Sequence, residues 1–289
     1  MDIQKLFDKI HQAYPQLSKG HRKIADSIME SWENIAFISP KELGEKLGIS
    51  EATVIRFAKE LGYDNYSELR RYIRDLLKYS LTPAEKMTTT VDKIKDDHSV
   101  QKILATEFDI LKEGIQKISF EEFSRAVNLL EKARRIFIIG FGVSASLCHF
   151  LEFRFQRMQI DTHILTHGGK SFFEKLLLAN EEDVIIGIGF FRCAREILIA
   201  FDYAKKHSIA TIAVTHSSIS DLAKLATVTL VANRGPVKEV NSLVVPMAVL
   251  NALVIALAQR EGPRSLEALG KLDQINALYQ DDEEIDIHD

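Results

Sequence analysis

A glycine turn followed by two serines is the clearest place in the sequence where residue types and spacing predict chemistry. Gly140 and Gly142 come directly after an apolar run, and Ser144 and Ser146 open a helical pattern. Glycines let a backbone approach a ligand closely, and the N-terminus of a helix presents amide groups and a positive dipole end to an anion. The turn therefore predicts a binding site for an acidic or phosphorylated small molecule.

The same turn matches the pattern G-x-G-x-x-A, so a dinucleotide site is an alternative. Such a site needs an acidic residue near the end of the second strand, about 20 residues further on. Asp161 lies at that distance but begins the predicted strand, which ends in Thr166 and His167. This placement disfavours a nucleotide, and no cofactor is predicted. A turn that only packs a helix on a strand remains a further alternative.

Two arginines in a later loop extend the predicted site. Arg192 and Arg195 follow an apolar run that ends at Gly189, and α/β proteins bind ligands at the carboxyl ends of parallel strands. A guanidinium can hold a phosphate or carboxylate through two parallel hydrogen bonds. Thr215 ends the next predicted strand and would line the same crevice. The predicted ligand-binding residues are Gly142, Ser144, Ser146, Arg192, Arg195 and Thr215.

Other reactive side chains form weaker patterns. Cys193 lies between the two arginines, which would lower the pKa of its thiol and suit a redox sensor, although a plain small loop residue is the favoured interpretation. His163 and His167 are four residues apart on or beside a strand, where alternate residues share a face, so no metal site is predicted. Glu239 and His167 are the nearest candidates for the base of a sugar-phosphate isomerase. Neither lies in a convincing motif, and no catalytic residue is predicted.

A second constellation, near the N-terminus, predicts contact with DNA. Ser39 and Glu42 have the spacing of a capping box, Gly48 ends the helix that they begin, and Ser50 caps a second helix. The second helix has a single apolar stripe, which begins at Val54. Two helices joined in this way have helix-turn-helix spacing, in which the second helix lies in the major groove. A plain helical hairpin is the alternative.

The side chains that would contact DNA fall into two groups. Arg56 is the strongest candidate for base readout, because a guanidinium can pair bidentately with guanine. The predicted base-reading residues are Ser50, Glu51, Ala52, Thr53, Arg56 and Lys59. Phosphate contacts position a protein without reading sequence, and the candidates are Lys19 and Arg22, together with His21, Lys23, Arg70, Arg71 and Arg74.

The elements that must position these residues differ between the two halves of the chain. Up to about Tyr79 only helical periodicity occurs, whereas later apolar runs alternate with helical stretches, which is typical of a parallel sheet covered on both faces. The predicted strands are Arg135–Gly140, Ile160–Thr166, Val184–Gly189, Ile209–Thr215 and Thr227–Ala232. The predicted helices of this half and its approach are Gln101–Lys117, Phe120–Lys132, Val143–Gln156, Arg195–His207 and Arg264–Tyr279. The fold class is therefore α followed by α/β.

The N-terminal residues resemble those of RpiR/MurR-type bacterial transcriptional regulators. The resemblance is carried by Leu17-Ser18-Lys19, by residues 22–26, by the run from Ser50 to Phe57, and by Leu61-Gly62-Tyr63. It implies a five-helix DNA-binding domain followed by a sugar isomerase (SIS) domain, doubly wound with a five-stranded parallel sheet. On this basis the domains are 1–78, helix-turn-helix; 79–124, linker and connecting helices; 125–265, SIS; and 266–289, a final helix with an acidic tail expected to be disordered.

What the resemblance implies is a regulator rather than an enzyme. Its partners would be double-stranded operator DNA and a small anionic metabolite, such as a sugar phosphate, and it would act as a homodimer or tetramer. Many SIS domains hold phosphate with a Ser-x-Ser-Gly-x-Thr loop, but the corresponding residues here run from Gly189 to Glu196 without those hydroxyls. This departure leaves the identity of the ligand open. The alternatives are a sugar-phosphate isomerase and, with less support, a nucleotide-binding redox protein.

Composition limits the class of protein further. Lys and Arg number 37 and Asp and Glu 41, for a net charge of −4, but residues 1–80 hold 13 basic and 12 acidic groups. Operator affinity is therefore expected from a local basic surface and from two copies, not from a strongly basic protein. The two cysteines form no C-x-x-C motif, and Leu243–Ala258 is broken by a proline and too short to span a membrane. The expected location is the cytoplasm, with no membrane partner.

Overall fold

The structure, a computed structural model, describes residues 3–80, 82–94, 99–191, 193–236 and 238–285. The chain divides into two compact units. The first comprises Met1–Lys95 together with Pro236–Asn241, and the second comprises Asp96–Gly235 together with Ser242–Asp289.

The first unit is helical. Its core is a single apolar cluster that includes the fully buried side chains of Ile24, Leu43, Phe57 and Leu69. A 3-10 turn, Tyr14–Gln16, separates the first two helices. The helices are α1 (Ile3–Ala13), α2 (Lys19–Ile35), α3 (Pro40–Leu47), α4 (Glu51–Glu60), α5 (Tyr66–Ser80) and α6 (Pro83–Asp92).

A short segment, Pro236–Asn241, belongs to this first unit although it is far in sequence from Met1–Lys95. We call this segment the excursion. The buried carboxylate of Glu239 pairs with Lys93. The amide of Val240 donates to the Thr90 hydroxyl over 2.9 Å. The excursion therefore packs beside α6 and completes the unit.

The second unit is an α/β sandwich. Five parallel strands lie in the order β2-β1-β3-β4-β5. The strands are β1 (Ile136–Gly140), β2 (Thr162–Leu165), β3 (Val184–Ile188), β4 (Ala210–Thr215) and β5 (Val228–Val231). The helices are α7 (Ser99–Ile115), α8 (Phe120–Lys132), α9 (Ser144–Arg157), α10 (Lys170–Leu176), α11 (Arg195–Lys206), α12 (Asp221–Leu225), α13 (Val244–Glu261) and α14 (Pro263–Ile285).

Both faces of the sheet are covered, because its strands carry apolar residues on both sides. β1 and β3 are buried along their whole length. One core holds Ile138 and Leu253, and the other holds Phe137 and Phe201. This arrangement confirms the predicted fold class and the predicted doubly wound sheet of five parallel strands.

The apolar stretch near the end of the chain forms α13. By length and composition alone it is the one described helix that could cross a membrane. Val249, Leu250, Leu253 and Leu257 are buried in the core of the second unit, as expected for a core helix.

The strand predictions agree with the structure to within two residues at each end. The predicted last helix, Arg264–Tyr279, is present as α14, but its predicted end was wrong. The acidic tail was expected to be disordered from about Asp281 onward, whereas α14 continues to Ile285. Glutamate has a high helix propensity, so a run of acidic residues can extend a helix that has already formed. Residues 286–289 lie outside the described part of the chain.

Candidate functional site

The tight turn between α3 and α4 uses two glycines in different ways. Gly48 has a φ of +63° and ends α3, a conformation that glycine adopts without strain. Gly44 lies where the two helices cross. A Cβ atom there would stand 2.8 Å from the Ile49 carbonyl oxygen and 3.3 Å from the Glu51 amide nitrogen. A larger residue would therefore force the helices apart.

Helix α4 has one face buried in the core of the first unit and one face exposed to solvent. Val54, Phe57 and Ala58 are fully buried in the core of the first unit. The Ser50 hydroxyl accepts the Thr53 amide over 3.2 Å and caps the helix. The outward face is exposed and carries Glu51, Ala52, Ile55, Arg56 and Lys59. Of the predicted base-reading residues, Ser50 and Thr53 are thus used in the cap, and the other four face solvent.

A histidine holds α4 against α2. The His21 ring lies in edge contact with Phe57, with 5.7 Å between ring centroids, and its Nδ1 atom pairs with the Glu60 carboxylate. The side chain is half-buried. His21 was among the candidates for phosphate contact, but the structure gives it a positioning contact to the exposed helix.

The other basic candidates for phosphate contact differ in their exposure and in their hydrogen bonds within the chain. Lys19 is exposed at the start of α2. Arg22 is exposed but donates to the Pro15 carbonyl over 3.1 Å, and Lys23 donates to the Leu47 carbonyl at the end of α3 over 3.1 Å. Arg74 is half-buried, and burial lowers the pKa of its guanidinium, with a further contribution from Arg70. Lys19 is therefore the candidate whose charge lies most openly at the surface.

Those predicted ligand residues that the structure describes lie at the carboxyl edge of the sheet. β1 and β3 are neighbours, with Gly140 paired to Ile188, and β4 lies next to β3. Ser144 begins α9 after β1, Arg195 begins α11 after β3, and Thr215 is the last residue of β4. Strand order changes direction between β1 and β3, which is where open α/β sheets form ligand crevices.

The turn after β1 has the geometry that its glycines predict. Gly142 has a φ of +59°, and a Cβ on Gly140 would lie 2.7 Å from the Cys148 sulfur. Ser144 is buried. The expectation that the helix presents its first amide groups to an anion was wrong for two of them, because the amides of Ser144 and Ala145 donate to the carbonyls of Phe141 and Gly142 over 3.1 and 3.0 Å. An anion would compete with these short-range bonds.

Two of the predicted ligand hydroxyls already have partners within the chain. The Ser146 hydroxyl donates to the Val143 carbonyl over 2.7 Å. The Thr215 hydroxyl, fully buried at the end of β4, donates to the Ser220 hydroxyl over 3.1 Å. Both therefore shape their loops, whether or not they also touch a ligand.

The loop after β3 is more apolar than a phosphate loop. Phe190 is buried, and the Phe191 ring lies 4.3 Å from the His216 ring. Arg195 is exposed at the start of α11, and Arg192 lies outside the described residues. Burial, with a smaller effect of Asp221, raises the pKa of the Cys193 thiol to about 12. The suggestion of a lowered thiol pKa was therefore wrong.

Sequence reasoning missed a buried arginine at the same edge. Arg234 follows β5, and its Nε donates to the Ser242 carbonyl over 3.1 Å. Its guanidinium lies 5.1 Å from the centre of the Phe190 ring, and burial lowers its pKa. No motif marks this residue. The signal in the sequence is a cation two residues after the predicted strand Thr227–Ala232.

The residues considered for catalysis or metal binding are dispersed. Glu239 is paired with Lys93 in the first unit. The His167 Nδ1 atom lies 3.1 Å from the Thr166 hydroxyl, and His163 pairs with Asp161 over 3.1 Å. Among the described residues, no group of three metal-ligating side chains occurs.

A cavity of about 340 Å³ lies elsewhere, at the outer edge of the sheet. Its lining includes Thr162, His163 and Ile164 of β2, with Glu152 and Lys175 from the helices on either side. It contains none of the predicted ligand residues. The cavity lies along β2, away from the crevice that the strand order creates between β1 and β3.

Two family models match the chain, one for each half. The helix-turn-helix domain of the rpiR family matches residues 4–79, and the SIS domain matches residues 129–256. An uncharacterized HTH-type transcriptional regulator of Haemophilus influenzae is 26% identical over 282 residues, which covers 95% of this chain and 96% of that protein.

Solved structures show the same two-part similarity. The sugar isomerase domain of an RpiR transcription factor from Sphaerobacter thermophilus is 28% identical with a TM-score of 0.58, and the match covers 62% of this chain and 99% of that one. The Vibrio vulnificus NanR protein, complexed with ManNAc-6P, is 22% identical with a TM-score of 0.58. That match covers 93% of this chain and 97% of the other, so the similarity of fold extends over both halves.

Proposed function

The chain is a helix-turn-helix transcriptional regulator of the RpiR type with a C-terminal SIS domain, and from that premise we propose how it works. The outward face of α4 reads operator DNA. The carboxyl edge of the sheet senses a sugar phosphate or a related anionic carbohydrate derivative, and occupancy of that edge changes the affinity for DNA. The protein works in the cytoplasm as a homodimer or tetramer, without catalysis.

The observation that carries the DNA proposal is the division of α4 into a buried and an exposed face. Phe57, Val54 and Ala58 are fully buried and anchor the helix to the core of the first unit. Arg56 and Lys59 on its other face are exposed to solvent. In the described part of the chain, no carboxylate pairs with the Arg56 guanidinium. This leaves its donors available for guanine O6 and N7.

A binding titration tests this assignment. Fluorescence anisotropy on DNA from upstream of the protein's own gene should show sequence-specific binding that weakens as salt is raised. Arg56→Ala should reduce specific affinity by roughly 10- to 100-fold, equivalent to ~1–3 kcal/mol. Arg157→Ala, which removes the same charge from the exposed surface of α9, is the matched control. Equal losses in the two variants would contradict base readout by Arg56.

The sensor proposal depends on the crevice between the loops after β1 and β3. Ser144 lies at the start of α9, where the helix dipole is positive, and Arg192, Arg195 and Arg234 are the cations that follow β3 and β5. Positive charge at a glycine turn suits a phosphate or carboxylate. The Vibrio vulnificus NanR protein, which shares the fold, is complexed with ManNAc-6P, so a sugar phosphate is the first class to examine.

A thermal-shift screen tests the sensor. The compounds are ManNAc-6P, other sugar phosphates, sugar acids and nucleotides, each added to the full chain. We expect a sugar phosphate or sugar acid to raise Tm, because ligands that bind only the folded state stabilise it. Arg195→Ala and Ser144→Ala should remove the shift, whereas Ser171→Ala, at an exposed position of α10, should keep it. Stabilisation by NAD alone would instead favour the nucleotide alternative.

The proposal that the chain is not an isomerase has its own test. Glu239, one of the two bases considered, is buried and forms an ion pair with Lys93. This pairing argues against its acting as a free base. Incubation of the full chain with the sugar phosphates that stabilise it should leave them unchanged. Interconversion of aldose and ketose forms would reverse the proposal.

A further inference from the structure

The two edges of the sheet in the second unit differ in how their backbone is covered. At the β5 edge, side chains of α8 contact the outer backbone groups. Glu122 accepts the Thr229 amide over 2.8 Å, and Arg125 donates to the Thr227 carbonyl over 3.0 Å. β2 forms the other edge, and no described strand pairs with its outer side. Natural proteins usually block a sheet edge, because an open one pairs with further strands.

The backbone of β2 presents hydrogen-bonding groups to that outer side at two residues. The Asp161 carbonyl accepts the Ile136 amide over 2.9 Å, and Ile136 is in register with Thr162. Backbone groups of successive residues in a strand point to opposite edges. Those of His163 therefore point toward β1, and those of Thr162 and Ile164 point away from it. The amide and carbonyl groups of the last two residues face outward.

The cavity of about 340 Å³ runs along this same edge. Its lining includes Thr162 and Ile164, the two residues whose backbone groups point outward. Helices α9 and α10 cover opposite faces of the sheet, since Leu151 of α9 belongs to one core and Phe172 of α10 to the other. The cavity is therefore a groove that follows the edge of β2 with a helix on either side. Grooves of this form hold extended peptides.

The two sides of the groove carry opposite charges. Glu152 of α9 lines one side, and Lys175 of α10 lines the other. Glu152 lies 3.6 Å from the His149 ring, which is longer than a hydrogen bond. On the α10 side, the His163 ring stacks on Phe137 with 5.2 Å between centroids. Side chains of an added strand alternate between the two faces, so adjacent basic and acidic residues would meet opposite charges.

We propose that the outer edge of β2 binds an extended segment of a partner protein by strand addition. The segment carries a basic and an acidic residue at adjacent positions, because Glu152 and Lys175 lie on opposite sides of the groove. Backbone hydrogen bonds to Thr162 and Ile164 supply affinity, and the charged side chains supply specificity. The groove contains none of the residues proposed to sense the sugar phosphate, so the inference goes beyond the proposed function and does not depend on it.

A labelled peptide tests strand addition on the full chain, with no DNA or sugar phosphate present. The probe is fluorescein-labelled Thr-Val-Arg-Glu-Val-Thr, in which Arg and Glu occupy opposite faces of a strand. Fluorescence anisotropy should show saturable binding with a Kd below ~1 mM. The isomer Thr-Arg-Val-Glu-Val-Thr places both charges on one face and should bind roughly 10-fold more weakly. N-methylation of the interior amides of the probe should remove binding, because strand addition needs those donors.

Two pairs of protein variants locate the site. Ile164→Pro removes an outward amide and should weaken binding roughly 5- to 10-fold, whereas Ile164→Val keeps the amide and should bind like the wild type. An edge strand tolerates proline where its amide faces outward, and circular dichroism checks folding. Lys175→Glu should weaken binding of the probe roughly 10-fold. Lys205→Glu, at an exposed position of α11 outside the groove, should leave binding unchanged.

Each outcome supports or overturns the proposal. Absence of saturable binding, or equal binding by the probe and its N-methylated form, would overturn strand addition. Unchanged affinity in Lys175→Glu would place the peptide elsewhere on the chain and would also overturn it. Should Ile164→Pro fail to fold, the two lysine variants and the N-methylated probe still decide. Light scattering tests another occupant, because a lower mass for Ile164→Pro but not for Ile164→Val would show that the edge pairs two copies instead.

Discussion

Helix α4 and the carboxyl edge of the sheet use their polar residues in opposite ways. Along α4, the residues that hold the helix and those that face solvent are different residues on different faces, as Phe57 and Arg56 illustrate. At the sheet edge, Ser146 and Thr215 are candidates for the ligand and also close their own loops by hydrogen bonds. A helix can separate support from contact by its 3.6-residue period, whereas a short loop has no second face.

The largest effect that tests this comparison is expected at Phe57. Phe57→Ala removes a fully buried aromatic side chain from the first core and should lower the free energy of unfolding of the first unit by about 3–5 kcal/mol. Its neighbour in sequence, Arg56→Ala, should change that free energy by less than ~0.5 kcal/mol, because the side chain is exposed. Urea unfolding followed by circular dichroism measures both. Comparable losses would mean that the two faces of α4 are not separate.

An intermediate effect is expected at the carboxyl edge of the sheet, where one substitution should change both the stability and the ligand response. Thr215→Val keeps the shape of a buried side chain but removes its bond to Ser220, which should cost about 1 kcal/mol of stability. If Thr215 also contacts the ligand, the same variant should weaken the sugar-phosphate-induced rise in Tm. Ser218→Ala, an exposed residue of the same loop, is the control. A variant that lost ligand response at unchanged stability would break the comparison.

The smallest effect concerns pH. Hydrogen bonds from the Ser39 hydroxyl and amide lower the pKa of Glu42 in the capping box of α3. A lowered folded pKa contributes stability above the unfolded value of ~4.3, and this contribution is lost as pH falls through the folded pKa. The hydroxyl bonds at the sheet edge do not titrate in this range.

Thermal unfolding between pH 6 and pH 3 measures the contribution of the Glu42 carboxylate to stability. The first unit of the wild-type chain should lose stability on acidification more steeply than a Glu42→Gln variant, which keeps an acceptor that cannot titrate. Glu45→Gln, on the exposed surface of the same helix, should behave like the wild type. Identical pH profiles for all three chains would show that the capping box does not contribute.

The sequence was sufficient for the helix-turn-helix but not for the ligand site. Ser39, Gly48 and Ser50 take the cap and turn positions that their types predict, because caps and turns depend on residues within three positions of one another. The role of Thr215 depends on Ser220, and the position of Arg234 depends on Ser242 and Phe190. Such partners are set by tertiary packing, which periodicity does not encode.

The α14 helix illustrates the same limit at a chain end. Charge density in the acidic tail favoured disorder, but the helix continues through Glu284 to Ile285. Composition predicts whether a segment can form a core of its own. It does not predict whether a helix that started upstream will continue, because propagation costs far less than nucleation.

The segment Pro236–Asn241 restricts how the first unit can be exchanged between related genes by recombination. Because the first unit is discontinuous in sequence, a gene cut after the codon for residue 95 would transfer α6 without the residues that pack beside it, and Lys93 would lose its carboxylate partner Glu239. Recombination at a single junction would therefore deliver an incomplete unit. Exchange of the first unit between relatives should succeed in two cases. Either residues 1–95 and 236–241 are transferred together, or the α6 and 236–241 segments of the two relatives carry compatible contact residues.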